Sequence, residues 1–259
     1  MLGRLLNWVR EGQIWGSVMR HGVPRDRRTR AMAILTNVFL HLHPVAVRKS
    51  GIRLSFTWCM GGLTFFLFLV EIITGVLLMF YYRPTVEYAY FDIQGLRAHV
   101  TLGLQRELHR WGAHAMVITI WLHMLRVFLT GSYKPPREFN WSIGVILLVL
   151  TLLLSFTGYL LPWDQLAMWA ITVGSNMARA TPLVGSEGPG AAFLQIGGVP
   201  LVHSGSDARF GLLAGTFVGP NALLRFYVLH CVLLPVVVTV LLAVHFWRVR
   251  KDGGISGPL

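Results

Sequence analysis

The sequence predicts an all-α integral membrane protein, a four-transmembrane-helix bundle. Three observations carry that prediction. Hydrophobic residues make up 54% of the 259 residues and charged residues only 13%, against roughly 25% charge in an ordinary soluble domain. The apolar residues collect into four runs long enough to cross a bilayer, which takes about 20 helical residues. Histidines recur at matched intervals on the second and fourth runs. So little charge cannot cover a water-facing surface, which excludes a cytosolic globular enzyme. So much apolar surface excludes a disordered chain.

Residues 1–54 read as a basic N-terminal arm. Leu5, Trp8, Val9, Ile34, Leu35, Val38 and Phe39 give it an amphipathic pattern, either an interfacial helix or a basic surface arm. It has no apolar stretch followed by a small-residue cleavage site, so no removed signal peptide is expected. Residues 55–250 form the transmembrane domain. Its spans run from about Phe56 to Tyr82, Trp111 to Leu129, Trp141 to Leu161 and Leu223 to Trp247. None shows the period-2 alternation of a barrel strand, and lipid admits only helices or closed barrels. Tyr81, Tyr82, Trp111, Trp141, Trp163 and Trp247 mark an interfacial belt. Pro84 and Pro162 end helices. A long segment rich in Gly, Ser and Pro, about 163–221, separates spans three and four, and residues 251–259 form a tail.

The net charge of +12 has a topological reading. The N-terminal segment to Arg53, the second connection (Arg126, Lys134, Arg137) and the tail (Arg248, Arg250, Lys251) hold 16 of the 23 Lys and Arg. An even number of spans then puts both termini on the cytoplasmic side. Nucleic acid would explain the charge but not histidines inside apolar runs. Cys59 and Cys231 make no disulfide framework.

His109 and His123 stand 14 residues apart on the second span; His230 and His245 stand 15 apart on the fourth. Fourteen residues are about four helical turns and rise about 21 Å, most of the hydrocarbon thickness. Both spans run from outside to inside, so His109 pairs with His230 near the outer face and His123 with His245 near the inner face. Two stacked bis-His sites suit two haems with no open position, and so electron transfer rather than oxygen binding. The competing reading, interior histidines bonded to neighbours, does not explain two matched pairs, because intramembrane histidines are rare. His114 pairs with nothing and reads as structural, His99 and His203 as loop residues. His41 and His43 are assigned no role.

Gly61 and Gly75 on the first span, and Gly144 and Gly158 on the third, repeat the 14-residue interval. A flat macrocycle inside a four-helix bundle needs missing side chains on the helices that give no ligand. Small-residue helix packing is the alternative. Arg106 and Arg110 beside His109, Arg126 beside His123 and Arg250 beyond His245 suit anionic haem propionates. Positive-inside topology explains Arg126 and Arg250 equally well.

The strings LHRWGAH, WLHMLRVFLTGSYKPPREFNW, TGYLLPWDQLAMWA, LRFYVLHCVLLP and HFWRVRKDGGISGPL resemble cytochrome b of the cytochrome bc complexes. More narrowly they resemble the short, split form, cytochrome b6. The resemblance runs from about Cys59 to the end, with a gap in the long loop. It implies two b haems on the four histidines and a quinol site partly formed by Gly158, Pro162, Trp163 and Asp164. No PEWY motif occurs, so the rest of that site is expected on a subunit IV-like partner. Cys59, in WCMGG, resembles the b6 cysteine that tethers a c-type haem by one thioether bond. No CxxCH is present, and a buried free cysteine is the plain alternative. Cys231 reads as packing.

The resemblance implies a subunit of a proton-translocating quinol oxidoreductase. Quinol would be oxidised near the outer face, one electron passing to a Rieske iron–sulfur protein and on to a c-type cytochrome or plastocyanin-like acceptor. The second would cross this subunit to quinone at the inner face. A dimeric complex is implied with it. The longer N-terminal arm and a loop enlarged between about Leu183 and Thr216 depart from plant-type b6 and favour a bacterial plasma membrane over a thylakoid. A di-haem anchor of a dehydrogenase or hydrogenase would use the same histidines without PWDQ, and a non-redox membrane protein would be colourless. Glu71, inside the first span, is either a proton relay or a carboxylate facing the bundle interior.

Overall fold

The computed structural model describes residues 23–36, 49 and 51–256. Leu5, Trp8, Val9, Val38, Phe39, His41 and His43 lie outside the described residues, as do residues 257–259. Among the described residues the order is α1 (Arg27–Thr36), α2 (Leu54–Thr57), α3 (Met60–Met79), α4 (Ala89–Ala98), α5 (Val100–Leu129), α6 (Glu138–Tyr159) and α7 (Gln165–Arg179). A hairpin of β1 (Gln195–Ile196) and β2 (Val199–Pro200) follows, then α8 (Ala208–Leu213), α9 (Pro220–Val228), a π-helical turn Leu229–Leu233 and α10 (Leu234–Lys251). Four helices are long and apolar enough to cross a membrane: Met60–Met79, Val100–Leu129, Glu138–Tyr159 and the composite Pro220–Lys251. Their outward apolar side chains, such as Phe66, Ile73, Ile118 and Val236, are exposed, as a bilayer-facing surface requires.

The four expected spans are present, with shifted ends. The first begins at Met60 rather than Phe56, because Trp58 and Cys59 take left-handed backbone (φ 49° and 53°) and separate α2 from α3. The second begins at Val100, its polar first turns continuing the apolar helix outward. The fourth begins at Pro220, in the first turn where proline's missing N–H costs nothing.

The π turn in the fourth span has a local cause. Pro235 has no N–H to give to the carbonyl four residues back and crowds it. The helix widens there instead, and Leu234 N–H donates to Leu229 O, five residues earlier. One inserted residue turns a 14-residue interval into a 15-residue one, which accounts for the unequal histidine spacings.

The chain divides into two compact units, which share the second, third and fourth spans between them, while the first span lies almost wholly in one. One comprises residues 61–121 and 147–239. Its buried centre is Leu160, Ile171, Leu213, Ala222 and Phe226 beside a second cluster of Tyr82, Ala89 and Leu223, and Trp163 packs against both. Tyr82 Oη donates to Leu161 O at 2.6 Å. Most of the segment read from sequence as a loop is ordered here. Ala167, Ile171 and Ser175, four residues apart, form the buried face of α7. A Cβ on Gly174 would stand 2.8 Å from Phe156 Cζ, so a glycine is needed for α7 to meet α6. Asp164 and Asp207 cap α7 and α8, accepting from Ala167 N–H (2.9 Å) and Phe210 N–H (2.8 Å). Burial pushes the Asp207 carboxyl up, but the Ser186 hydroxyl and backbone N–H groups outweigh it and hold it below its usual value. Gly197 and Gly198 (φ 59° and 81°) form the two-residue hairpin turn, which requires left-handed backbone at both positions. α4, not expected from sequence, is tied back by the Arg83–Asp92 ion pair at 2.6 Å.

The other unit comprises the described residues up to Met60, with 122–146 and 240–256. Arg126 Nε donates to Phe56 O (3.3 Å), and its guanidinium lies 4.3 Å from the Phe56 ring centre. Ser132 and Ser256 hydroxyls are hydrogen bonded, Arg137 Nη2 donates to Asp252 O (3.1 Å), and Arg248 pairs with Asp252 at 2.8 Å. These bonds fasten the turn after α10 against the α5–α6 connection.

Candidate functional site

Each unit holds one histidine pair. In the first, the His109 and His230 ring centres are 6.2 Å apart with the rings at 85°. In the second, His123 and His245 are 6.5 Å apart at 80°. The structure therefore forms both pairings expected from sequence. Two metal–nitrogen bonds of roughly 2 Å on opposite sides of one ion put ring centres about 6 Å apart. Among the described residues no three of His, Cys, Asp and Glu gather as a metal-binding group. Each pair offers two imidazoles at a distance that fits a metal held between the rings.

The His109–His230 pair shows which nitrogens are free. His230 Nδ1 is 3.1 Å from Leu154 O and 3.2 Å from Thr157 Oγ1. A carbonyl only accepts, so Nδ1 carries the proton and Nε2 keeps its lone pair. His109 Nδ1 is 2.9 Å from Thr74 Oγ1 and 3.0 Å from Glu71 Oε2. Thr74 and Thr157 were not singled out in the sequence. Each stands directly before a glycine of the 14-residue series, a Thr-Gly repeat on the two spans that give no ligand.

The glycines meet the histidines as the sequence argument required. A Cβ on Gly158 would lie 2.5 Å from His230 Cε1, and one on Gly75 would lie 3.2 Å from His109 Cε1. At Gly144 the neighbours are Met124 Sδ at 3.6 Å and His245 Cε1 at 4.0 Å. Gly61 stands in the first turn of α3.

Beside the His123–His245 pair lies a cleft lined by His123, Arg126, Asn140, Gly144, His245 and Ser256. Arg126 is buried, and its Nη2 has no hydrogen-bond partner, which suits an anionic group entering the cleft. Arg250 lies half-buried near the end of α10. Arg106 and Arg110 each hold Glu107, at 2.7 and 2.6 Å. His114 lies against Trp111, ring centres 5.4 Å apart and tilted by 59°.

Cys59 is exposed, so the plain alternative of a buried packing residue does not describe it. Its N–H donates to Thr57 Oγ1 (3.2 Å) in the left-handed break before α3. Cys231 is half-buried. In the PWDQ turn, Pro162 ends the third span, Trp163 takes φ 51° and anchors both buried clusters, and Asp164 caps α7.

Fold and site together define a multi-span helical membrane protein with facing histidine pairs inside its spans. Residues 45–188 match the family described as cytochrome b/b6/petB. The chain is 42% identical over 203 residues to cytochrome b6 of Acaryochloris marina, covering 78% of this chain and 85% of that one. It is 36% identical over 266 aligned residues to the menaquinol:cytochrome c reductase cytochrome b subunit of Bacillus subtilis, across the full length of both. A solved chain of a hyperthermophilic respiratory complex III shares the fold, with a TM-score of 0.70 at 23% identity over 98% of this chain. This chain spans only 56% of that one. The chain belongs to the cytochrome b/b6 family, and membership implies b haems.

Proposed function

We propose that this chain is the cytochrome b6-type subunit of a quinol:cytochrome c (or plastocyanin-like acceptor) oxidoreductase, with His109 and His230 on an outer b haem and His123 and His245 on an inner one. The observation that carries this is the pair of facing imidazoles in each unit, 6.2 and 6.5 Å between ring centres. When bound, the haems supply reversible one-electron transfer between the two membrane faces. The four imidazoles would hold the two haems, one pair to each. Thr157 and the Leu154 carbonyl hold His230 with Nε2 free. Gly75, Gly144 and Gly158, with Gly61, leave space for the macrocycles. Arg126 and Arg250 neutralise propionates at the inner edge, and Arg106 and Arg110 do so at the outer edge through the one positive charge that the two keep over the single carboxylate of Glu107.

Quinol is oxidised to quinone against the turn of Gly158, Pro162, Trp163 and Asp164, and its two protons leave on the outer side. A subunit IV-like partner completes that site, a Rieske protein takes the first electron toward a c-type cytochrome, and the second would cross this subunit to reduce quinone at the inner face. Cys59, exposed at the start of α3, carries a c-type haem through one thioether bond. Both termini face the cytoplasm, in a bacterial plasma membrane, within a dimeric complex. The Bacillus subtilis relative, similar over its full length and named as a menaquinol:cytochrome c reductase subunit, supports this assignment.

The test is quinol-driven reduction of a soluble c-type cytochrome by the purified complex. The wild type is expected to turn over, with His109→Ala and His123→Ala each losing one b haem and the activity. A complex with both b haems that never reduces the cytochrome would overturn the assignment in favour of a di-haem dehydrogenase anchor.

A further inference from the structure

Glu71 and His109 are the most unusual contact in the first unit. A carboxylate inside a span is costly and needs a partner. Glu71 Oε2 lies 3.0 Å from His109 Nδ1, and both side chains are largely buried. Glu71 Oε1 is buried and has no hydrogen-bond partner. Room for it comes from the facing span, where a Cβ on Gly112 would collide with Oε1. Arg106 and Arg110, the cations flanking His109, are taken by Glu107. The carboxylate is therefore directed at the imidazole and at no cation.

The tautomer of His109 follows from Thr74. Its hydroxyl donates to Val70 O at 2.7 Å. The oxygen then accepts from His109 Nδ1, 2.9 Å away. The Nδ1 proton is shared between the Thr74 oxygen and the Glu71 carboxylate, and Nε2 is left as the ligating lone pair. His230 differs, since its Nδ1 meets only a carbonyl and a hydroxyl. One imidazole of the outer pair is thus bonded to a carboxylate and the other to neutral groups.

We propose that Glu71 is a positioning residue for the outer haem, holding His109 with Nε2 toward the iron and making it the more electron-donating ligand of its pair. The proposal rests on the assignment of His109 and His230 to that haem. A carboxylate on the outer nitrogen raises the basicity of a ligating imidazole. Stronger donation favours the ferric over the ferrous iron, so Glu71 lowers the outer haem's reduction potential. Gly112 serves the same end by admitting the carboxylate.

The experiment is a redox titration of the purified complex, following the two b-haem bands, with the low-spin ferric EPR signals recorded alongside. Glu71→Gln keeps an acceptor oxygen and removes the charge. It is expected to shift one b midpoint upward by a tenfold change in its reduction equilibrium, 59 mV for one electron, and to leave the other in place. Gly112→Ala, which displaces the carboxylate, is expected to move the same midpoint in the same direction and to shift its EPR signal. Glu71→Asp should recover part of the change. If Glu71→Gln does not assemble, Gly112→Ala and Glu71→Asp decide the matter. Two b haems with both midpoints unmoved in the variants would overturn the role of Glu71 alone. A wild-type complex holding no haem on His109 and His230 would overturn the assignment beneath it.

Discussion

Thr157 Oγ1 meets His230 Nδ1 at 3.2 Å, one residue before the glycine whose absent side chain makes room for the same ring. Thr74 and Gly75 repeat the arrangement at His109. Each Thr-Gly pair does two things for one imidazole: the hydroxyl bonds the outer nitrogen, and the bare Cα lets the ring approach.

The glycines should therefore tolerate substitution in a fixed order. Gly158→Ala brings Cβ to 2.5 Å from His230 Cε1, Gly75→Ala to 3.2 Å from His109 Cε1, and Gly144→Ala only to ordinary contact at 3.6–4.0 Å. Overpacking of this kind costs about 1–3 kcal/mol. Haem content per chain should fall most in Gly158→Ala and less in Gly75→Ala and Gly144→Ala. Equal losses in all three would contradict the geometry.

Thr157→Val removes the hydroxyl and leaves Leu154 O as acceptor for His230 Nδ1. A neutral hydrogen bond contributes about 1 kcal/mol. The variant should keep its b haem and lose only a few degrees of thermal stability in detergent. Complete loss of haem would mean that the hydroxyl, not the carbonyl, holds the ring.

Arg126 should matter to one haem only. It is buried beside the inner pair with one nitrogen unbonded, and charge-assisted bonds are the strong ones. Arg126→Leu is expected to lose most of one of the two b-haem bands and to spare the other. A full complement in the variant would assign the arginine to its contact with Phe56 alone.

The Arg83–Asp92 pair gives a pH dependence on the water-exposed connection. The Arg83 guanidinium holds the Asp92 carboxyl below its usual 3.8. A carboxyl lowered in the folded state adds stability that is fully present above its unfolded value and is lost as pH falls through the folded one. The protection of the α4 amides, relative to their intrinsic exchange at each pH, should fall below about pH 4 in the wild type. In Asp92→Asn it should be low already at neutral pH and show no such step. Identical profiles would remove the pair from the account.

The spans and the two facing histidine pairs are legible in sequence because both depend on interval: about 20 apolar residues to cross a bilayer, and whole helical turns between histidines on one face. What escaped was set by contacts between distant residues. Segment 163–221 looked like loop from its Gly, Ser and Pro, yet α7 forms because Asp164 caps it and Ala167, Ile171 and Ser175 find a buried surface. The 15-residue interval resembles that of the b6 type, and its physical cause lies in Pro235 and the π turn, which no interval shows. Gly112 lies outside the 14-residue series, so only the position of Glu71 gives it a reason. Thr74 and Thr157 had a readable signal in the repeated Thr-Gly, but no period argument asks what stands before a glycine.

The most direct measurement is a pyridine haemochrome spectrum of the purified complex beside a haem stain of this chain on a denaturing gel. The account predicts two extractable b haems per chain and a stained band that Cys59→Ser abolishes without loss of the b haems. An unstained wild-type chain with two b haems would leave the histidine sites standing and remove the thioether at Cys59. A folded complex with no b haem would contradict the central claim.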